Sequence, residues 1–217
     1  MSLFRLEGIH FAYPSGAPVL NGAHFALAAG ERVALSGANG SGKTTLFHLM
    51  VGLLRPQAGT IEAFGAPRAS ERDFKEVRAK AGLLFQDSDD QLFCPTVIED
   101  VAFGPMNLGA SRAEARAVAV RTLAELGLTD FEDRITHKLS GGQKRLVALA
   151  TVLAMQPQVL LLDEPTNGLD HDTRARLTAI LQGLPQAMMI VSHDGDFIAR
   201  LATRTVALEG GRLASPL

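Results

Sequence analysis

A glycine-rich loop is the feature of this sequence that most constrains its fold. Residues 37–44 read GANGSGKT and fit the pattern G-x-x-x-x-G-K-[ST], which requires a strand before it and a helix after it. Both neighbours are predicted here. Residues 31–36 contain the apolar run Val-Ala-Leu of a buried strand, and after Thr44 apolar residues recur at helical spacing as far as Arg55. The loop therefore predicts an α/β fold.

The same loop has the chemistry of a phosphate-binding site. Its glycines let backbone N–H groups turn inward at the positive end of the following helix, Lys43 supplies a cation for β- and γ-phosphates, and the Thr44 hydroxyl can ligate Mg²⁺. The pattern alone does not distinguish kinases, GTPases and ATPases. The candidate nucleotide-binding residues of this segment are Asn39, Gly40, Ser41, Gly42, Lys43, Thr44 and Thr45.

A second constraint is an apolar strand that ends in two carboxylates. Residues 159–162 read VLLL and are followed by Asp163 and Glu164. Doubly wound sheets bind their ligands at the carboxyl ends of strands, so Asp163 is a candidate Mg²⁺ ligand. Adjacent strand residues point in different directions, which leaves Glu164 to face an attacking water. Alternatively, Asp163 and Glu164 form only an exposed turn before Pro165 and bind no ligand.

Composition limits the classes of function. The 217 residues are 47% hydrophobic and 20% charged, which suits one compact domain. A formal net charge of −2 provides no basic field, so nucleic acid is not an expected partner. The single Cys94 allows no internal disulfide and is typical of a reducing compartment. No apolar stretch approaches the roughly 20 residues that span a bilayer, so any membrane role is expected to be peripheral.

The remaining segments predict an α/β core with a helical insertion. Strand-like segments at 3–12 and 19–27, joined by a turn at 14–18, predict an antiparallel hairpin at the edge of the sheet. Further strands are predicted at 82–85, 159–162, 187–192 and 204–208, and helices at 111–128, 140–155 and 194–201.

The helical stretch before the strand at 159–162 is longer than one crossover between parallel strands needs. We therefore expect a single domain of residues 1–217. Its α/β core takes up about 1–86 and 158–217, and an inserted α-helical subdomain takes up about 87–157.

A second glycine-containing helix start lies in the predicted helical insertion. Residues 139–143 read LSGGQ, in which Ser140 is a suitable N-cap and is followed by two glycines. Taken alone, this is most simply an ordinary capped helix. Together with the loop at 37–44, it gives the chain two helix ends suited to phosphate but only one loop that carries a lysine.

With these motifs in this order, the sequence resembles the ATP-binding cassette (ABC) family over nearly its whole length. LSGGQ corresponds to the family signature and Gln86 to the glutamine of the Q-loop. Asp170 ends the D-loop at 167–170, and His193 corresponds to the switch histidine. Tyr13, the only tyrosine, corresponds to the aromatic residue that stacks on adenine. Taken alone, a single histidine or tyrosine is more often a packing residue.

The resemblance implies a P-loop NTPase fold of the ABC type, with ATP and Mg²⁺ as cofactors. It also implies an ATP-dependent, head-to-tail pair of cassettes, a homodimer or a heterodimer, in which each signature motif closes over the ATP of the other subunit. The implied metal contacts are Thr44, Gln86 and Asp163. The implied catalytic residues are Glu164 for water, His193 for the γ-phosphate and Gln86 for sensing both metal and water. The second subunit would contribute Ser140, Gly141 and Gly142, and Gln143 and Asp170 are also implied to bind the nucleotide.

Residues 85–105 narrow the resemblance further, to the ATPases of energy-coupling factor importers. These systems take up cobalt, nickel or vitamins. The resemblance implies that residues 86–105 meet an integral membrane partner, with the chain held peripherally at the cytoplasmic face of the membrane. The leading expectation is the motor subunit of a Co²⁺ or Ni²⁺ importer, with a vitamin such as biotin as the alternative cargo.

Two other classes of function stay open at this stage. A soluble cassette ATPase acting on DNA or the ribosome needs a coiled-coil insertion or two cassettes, and 217 residues hold neither. A small P-loop kinase has a similar length, but the signature motif and the Glu164 that follows Asp163 argue against it.

Overall fold

The computed structural model describes residues 2–14 and 16–214, which fold into two compact units. The first unit comprises Met1–Leu83, Gln158–Asp163 and Pro185–Leu217, and the second comprises Leu84–Pro157 and Glu164–Leu184. The second unit thus includes residues 164–184 together with the helical segment, whereas the predicted boundaries place these residues in the α/β core. The single domain and its boundaries stay a prediction.

The described residues form ten strands and seven α-helices. The strands are β1 (Ser2–Ala12), β2 (Pro18–Ala28), β3 (Arg32–Ser36), β4 (Ala58–Ala63), β5 (Ala66–Pro67), β6 (Ala81–Leu84), β7 (Val159–Asp163), β8 (Ala187–Val191), β9 (Arg204–Glu209) and β10 (Arg212–Ala214). The helices are α1 (Lys43–Met50), α2 (Glu71–Lys80), α3 (Val97–Asn107), α4 (Arg112–Glu125), α5 (Gly141–Leu153), α6 (His171–Gly183) and α7 (Gly195–Leu201).

A six-stranded sheet forms the centre of the first unit, in the order β10-β9-β3-β8-β7-β6. Strands β9, β3, β8 and β7 run parallel, and every residue of β7 and β8 is buried. Continuous burial explains their unbroken apolar sequences, because a parallel sheet is covered on both faces. The predicted α/β fold is confirmed. Its parallel register brings the ends of β3 and β7 to the same edge of the sheet.

The hairpin of β1 and β2 belongs to a separate sheet, in the order β2-β1-β4-β5. Its strands pair antiparallel and alternate buried with exposed residues, so only one face of this sheet packs on the core. The antiparallel edge of the parallel sheet is made instead by β9 and β10. Ser15, in the predicted turn of the hairpin, lies outside the described residues.

Helix α1 ends at Met50, before the predicted stop at Arg55 and Pro56. Gly52 adopts a φ of 72°, a conformation that ends the helix, and the ring of Phe74 packs against its Cα. Six of the described elements were absent from the prediction, namely β4, β5, β10, α2, α3 and α6.

The second unit is built from helices α3, α4, α5 and α6. Helix α3 packs against α4 and α5. Buried Asp100 joins this helix to the segments around it, because its Oδ1 accepts the N–H groups of Phe93 and Cys94 at 3.0 and 2.9 Å and its Oδ2 accepts the Thr136 hydroxyl at 3.0 Å. Among the described residues, no helix has the length and apolar character needed to cross a membrane.

We expect Gly52→Ala to destabilise the protein more than Gly65→Ala. Both glycines have left-handed φ values, of 72° and 78°, but a Cβ at Gly52 would overlap the Phe74 ring and one at Gly65 meets nothing within 4 Å. The expected losses in free energy of unfolding are about 2–4 kcal/mol for Gly52→Ala and about 1 kcal/mol for Gly65→Ala. Urea unfolding of both variants measures them, and equal losses would contradict the packing argument.

Candidate nucleotide site

The loop between β3 and α1 follows a path that only glycine allows at two positions. Gly37 has a φ of 148°, and a Cβ there would lie 2.6 Å from the Leu208 carbonyl oxygen. Gly42 has a φ of 104°, and a Cβ there would lie 2.5 Å from Cγ1 of Val19. Because neighbouring atoms approach this closely, the loop is held in a defined shape around the start of α1.

Helix α1 begins differently from the other described α-helices. Its N-cap is Gly42, which offers no capping side chain, and its first turn, like that of α5, holds no acidic residue. The other six described α-helices begin at a serine, threonine or aspartate. Among the described α-helices, α1 therefore has the N-terminal N–H groups that are best suited to an external anion.

Two polar side chains of the loop fit a phosphate ligand. Buried Lys43 donates from Nζ to the carbonyl oxygens of Gly37 and Ala38, at 2.9 and 3.0 Å, which holds the cation over the loop. The Ser41 hydroxyl is buried and has no hydrogen-bond partner within the described part of the chain. A buried hydroxyl without a partner costs about 1–3 kcal/mol, a cost that a bound phosphate oxygen offsets.

Thr44 and Asp163 form a direct contact. The Thr44 hydroxyl donates to Oδ2 of Asp163 at 2.6 Å, and Asp163 is buried at the end of β7. Mg²⁺ prefers such oxygen ligands and takes only one or two from the protein, completing its shell with phosphate oxygens and water. This pair therefore fits a nucleotide-bound Mg²⁺. Within the described residues, no group of three His, Cys, Asp or Glu side chains could hold a metal by itself.

Glu164 occupies a strained conformation immediately after β7. Its φ is 45°, in the left-handed region, which costs an L-residue about 1–2 kcal/mol. The chain turns here, so the half-buried Glu164 does not continue the alternation of the strand after Asp163. Strain of this kind is typically retained at functional sites, where it fixes the direction of a side chain.

The first unit also contains Tyr13 and His193. The Tyr13 ring meets the Phe11 ring edge-on at 5.0 Å, and its hydroxyl lies 3.1 Å from Oγ1 of Thr45 in the first turn of α1. His193 is exposed and follows β8, which lies between β3 and β7 in the sheet. The parallel register thus brings His193 to the sheet edge that carries the glycine-rich loop and Asp163.

The signature residues lie in the second unit, at the start of α5. Oγ of Ser140 accepts the Gln143 N–H at 3.3 Å, and Oε1 of Gln143 accepts the Ser140 N–H at 3.0 Å. A Cβ on Gly141 would meet nothing within 4 Å, whereas one on Gly142 would lie 3.0 Å from Cγ2 of Thr173. The first turns of α5 and α6 therefore lie side by side.

Asp170 caps helix α6, and Gln86 is exposed after β6. The Asp170 carboxylate accepts the N–H and the hydroxyl of Thr173 at 2.9 and 2.8 Å. Both hydrogen bonds lower the pKa of Asp170, and the hydrogen bond from the N–H has the larger effect. The predicted site residues are thus divided between the two units. Sequence reasoning missed Thr173, although its position three residues after a capping aspartate is a recognisable signal.

Comparison with known proteins identifies the family. The ABC transporter family model matches residues 20–167 of this chain. The chain belongs to the ABC transporter family. It is an ATP-binding subunit that hydrolyses ATP. The ABC-type fold and the resemblance to importer ATPases are thereby confirmed.

Three relatives show where this ABC ATPase lies within the family. A protein of Nitratidesulfovibrio vulgaris, named as an ABC transporter ATP-binding protein without a stated cargo, is 54% identical over 96% of this chain and 77% of its own length. The cobalt import ATP-binding protein CbiO of Rhodobacter capsulatus is 47% identical over 97% of this chain and 77% of its own. The nickel import ATP-binding protein NikO of the same organism is 43% identical over 98% of this chain and 87% of its own length.

Two solved structures resemble this ABC ATPase closely. That of cbiO1 from Clostridium perfringens, described as part of the ABC transporter complex cbiONQ, has a TM-score of 0.86 at 34% identity and covers 98% of this chain and 87% of its own. A dimeric ATP-binding cassette bound to ADP and Pi, in a post-hydrolysis state, has a TM-score of 0.88 at 25% identity and covers 98% of both chains.

We expect Cys94 to react slowly with iodoacetamide in the folded protein. Burial, followed by the negative charge of Asp100, raises the pKa of this thiol to about 11. A raised thiol pKa keeps sulfur protonated near neutrality, and alkylation at a pH of about 8.5 should be about 100-fold slower than for an unperturbed thiol. The rate should rise with pH up to the thiol pKa. Labelling of the urea-unfolded chain is the control, and equal rates would contradict the shift.

Proposed function

We propose that this ABC ATPase is the motor subunit of a membrane importer of the energy-coupling factor type. The observation that carries the proposal is the Thr44–Asp163 hydrogen bond of 2.6 Å beside Lys43, at a helix start without a capping side chain. This arrangement supports the binding of a nucleoside triphosphate with its Mg²⁺. The similarity to ATPases named for cobalt and nickel import supports the importer class.

ATP binds with its triphosphate on the loop and its adenine on Tyr13. The N–H groups at the start of α1 and the ammonium of Lys43 hold the β- and γ-phosphates. Thr44, Asp163 and Gln86 would hold Mg²⁺, which would supply positive charge against these phosphates. The proposed nucleotide contacts of this subunit are Tyr13, Asn39, Gly40, Ser41, Gly42, Lys43, Thr44 and Thr45.

Hydrolysis needs an oriented water and a donor to the γ-phosphate. Glu164 accepts a hydrogen bond from the water and polarises it, and its left-handed φ of 45° ends the strand geometry at this residue. His193 donates a hydrogen bond to a γ-phosphate oxygen, and Gln86 would contact both the bound metal and the water. Binding and activation of water are therefore tasks of different side chains.

A second cassette completes each site. In the proposed head-to-tail dimer, the signature helix of one subunit closes over the ATP held by the other. Its residues Ser140, Gly141, Gly142 and Gln143 then line the triphosphate, and Asp170 lies beside the subunit boundary. The dimeric post-hydrolysis cassette of similar fold supports the formation of a dimer. A homodimer would hold two equivalent sites, and a heterodimer with a related cassette is the alternative.

The membrane partner contacts residues 86–105 of the second unit. Phe93 and Phe103 are 64% and 43% exposed, and their rings pack edge-on at 4.8 Å, with exposed Met106 on the same helix as Phe103. Aromatic side chains exposed as a group favour a protein contact. This contact holds the chain peripherally at the cytoplasmic face of the membrane. The proposed cargo is Co²⁺ or Ni²⁺, with a vitamin as the alternative, and no nucleic acid takes part.

We expect Glu164→Gln to slow ATP hydrolysis by orders of magnitude and to trap an ATP-bound dimer. Glutamine keeps the size of the side chain but loses the carboxylate that polarises water, while the loop that binds ATP is unchanged. Hydrolysis is measured by phosphate release and the dimer by light scattering with ATP.

Two variants serve as controls for this experiment. Lys43→Ala should weaken nucleotide binding itself, and Ser140→Ala should disturb hydrolysis while leaving binding to the monomer unchanged. Normal hydrolysis by Glu164→Gln would refute the role given to this carboxylate.

We expect a polytopic membrane protein to accompany this chain when it is affinity-purified from detergent-solubilised membranes of its source cell, with identification by mass spectrometry. Replacing Phe93 and Phe103 by serine should remove that companion, because the exposed aromatic pair is lost. Leu53→Ser is the matched control, since Leu53 is 51% exposed but lies in the first unit. A chain that purifies alone, or with ribosomes or DNA, would contradict the importer assignment.

A further inference from the structure

A buried charged side chain lies two residues after the signature motif. Arg145 of α5 is only 4% exposed. Its guanidinium donates from Nη1 to the carbonyl oxygen of Phe85 at 2.6 Å and from Nη2 to the carbonyl oxygen of Gln86. Arg145 therefore joins the signature helix to the main chain at the Q-loop glutamine, within the second unit.

Burial of a guanidinium is costly unless hydrogen bonds compensate for its lost water. Here two of its partners are main-chain carbonyl groups of consecutive residues. The planar fork of arginine can donate to both at once, which the single ammonium of lysine does less well. Such an arrangement fixes the direction of the peptide that joins Phe85 to Gln86.

Other side chains attach the same segment to α5. Oε1 of Gln91 accepts the N–H of Phe85 at 3.3 Å, and Nε2 of Gln91 donates to the Ala148 carbonyl and the Thr151 hydroxyl, both at 2.9 Å. Lys144 forms an ion pair with the exposed Asp89. Residues 85–91 are thus held to the signature helix at several points. Among these contacts, Arg145 is the buried charged side chain that donates to the main chain of Gln86.

We propose that Arg145 is the positioning residue of Gln86. This inference rests on the proposed function, in which Gln86 contacts the metal and the attacking water. By holding the main chain at 85–86, Arg145 limits the directions available to the exposed Gln86 side chain. Because the signature motif opens the same helix, α5 couples that motif to Gln86, so that a displacement of one is shared by the other.

Hydrogen–deuterium exchange without nucleotide tests the holding role. Arg145→Lys should accelerate exchange of the amides at 85–91, and Arg145→Met should accelerate it more, while strand β8 keeps its protection. Lys144→Met is the matched control on the same helix, with a smaller expected effect because its partner Asp89 is exposed. Unchanged exchange at 85–91 in both Arg145 variants would overturn the inference.

A double-mutant cycle with Gln86→Ala tests the link to catalysis. Arg145→Lys should lower kcat for ATP by about 10-fold with KM unchanged, as expected for a residue that orients a metal contact. In the Gln86→Ala background, it should lower kcat by less than about twofold, because the group through which it acts is gone.

A full 10-fold loss in that background would overturn the positioning role. Absence of ATP hydrolysis in the unmodified chain would instead contradict the proposed function. The exchange measurement, made without nucleotide, distinguishes these two failures.

Discussion

The hydrogen bond between Thr44 and Asp163 is the contact on which the candidate site depends. It joins two side chains that are 119 positions apart in the sequence. Only the parallel sheet makes this contact possible, because β3 and β7 end at the same edge with β8 between them. Loss of register in any of these strands would separate the hydroxyl from the carboxylate. The buried apolar strands therefore specify the geometry of a polar pair at their ends.

The same strand end gives two adjacent acidic residues different backbone conformations. Asp163 still pairs with Val191 in the sheet, whereas Glu164 is already in the left-handed region. Asp163 thus has a buried position that the sheet fixes, whereas Glu164 leaves the strand in a strained conformation. The separation of metal binding from water activation in the proposed mechanism has its physical origin in this turn.

Much of the fold could be predicted from the sequence, because the glycine-rich loop requires a strand and a helix around it. The buried strands β7 and β8 followed from unbroken apolar runs. Helix α2 was missed because its sequence is largely charged and its capping box at Ser70 and Asp73 gives only a local signal. The separate sheet of β1 and β2 was missed because local patterning does not specify which strands pair.

The candidate site was predictable in its residues but not in its contacts. Pattern and family resemblance pointed to Thr44 and Asp163, and only the structure gives their separation. Arg145 was missed because helical periodicity indicates which face is buried but not what a buried charge donates to. The catalytic roles of Glu164, His193 and Gln86 stay predictions.

The contact between Gly142 and Thr173 affects how genetic results at the signature motif are interpreted. A Cβ at Gly142 would lie only 3.0 Å from Cγ2 of Thr173, so a substitution there crowds the packing of α5 against α6 as well as any nucleotide contact. An inactive allele at this position therefore has two physical origins. Intragenic suppressors that replace Thr173 by a smaller residue would restore only the packing. Their recovery in a genetic selection would reveal how much of the defect was steric.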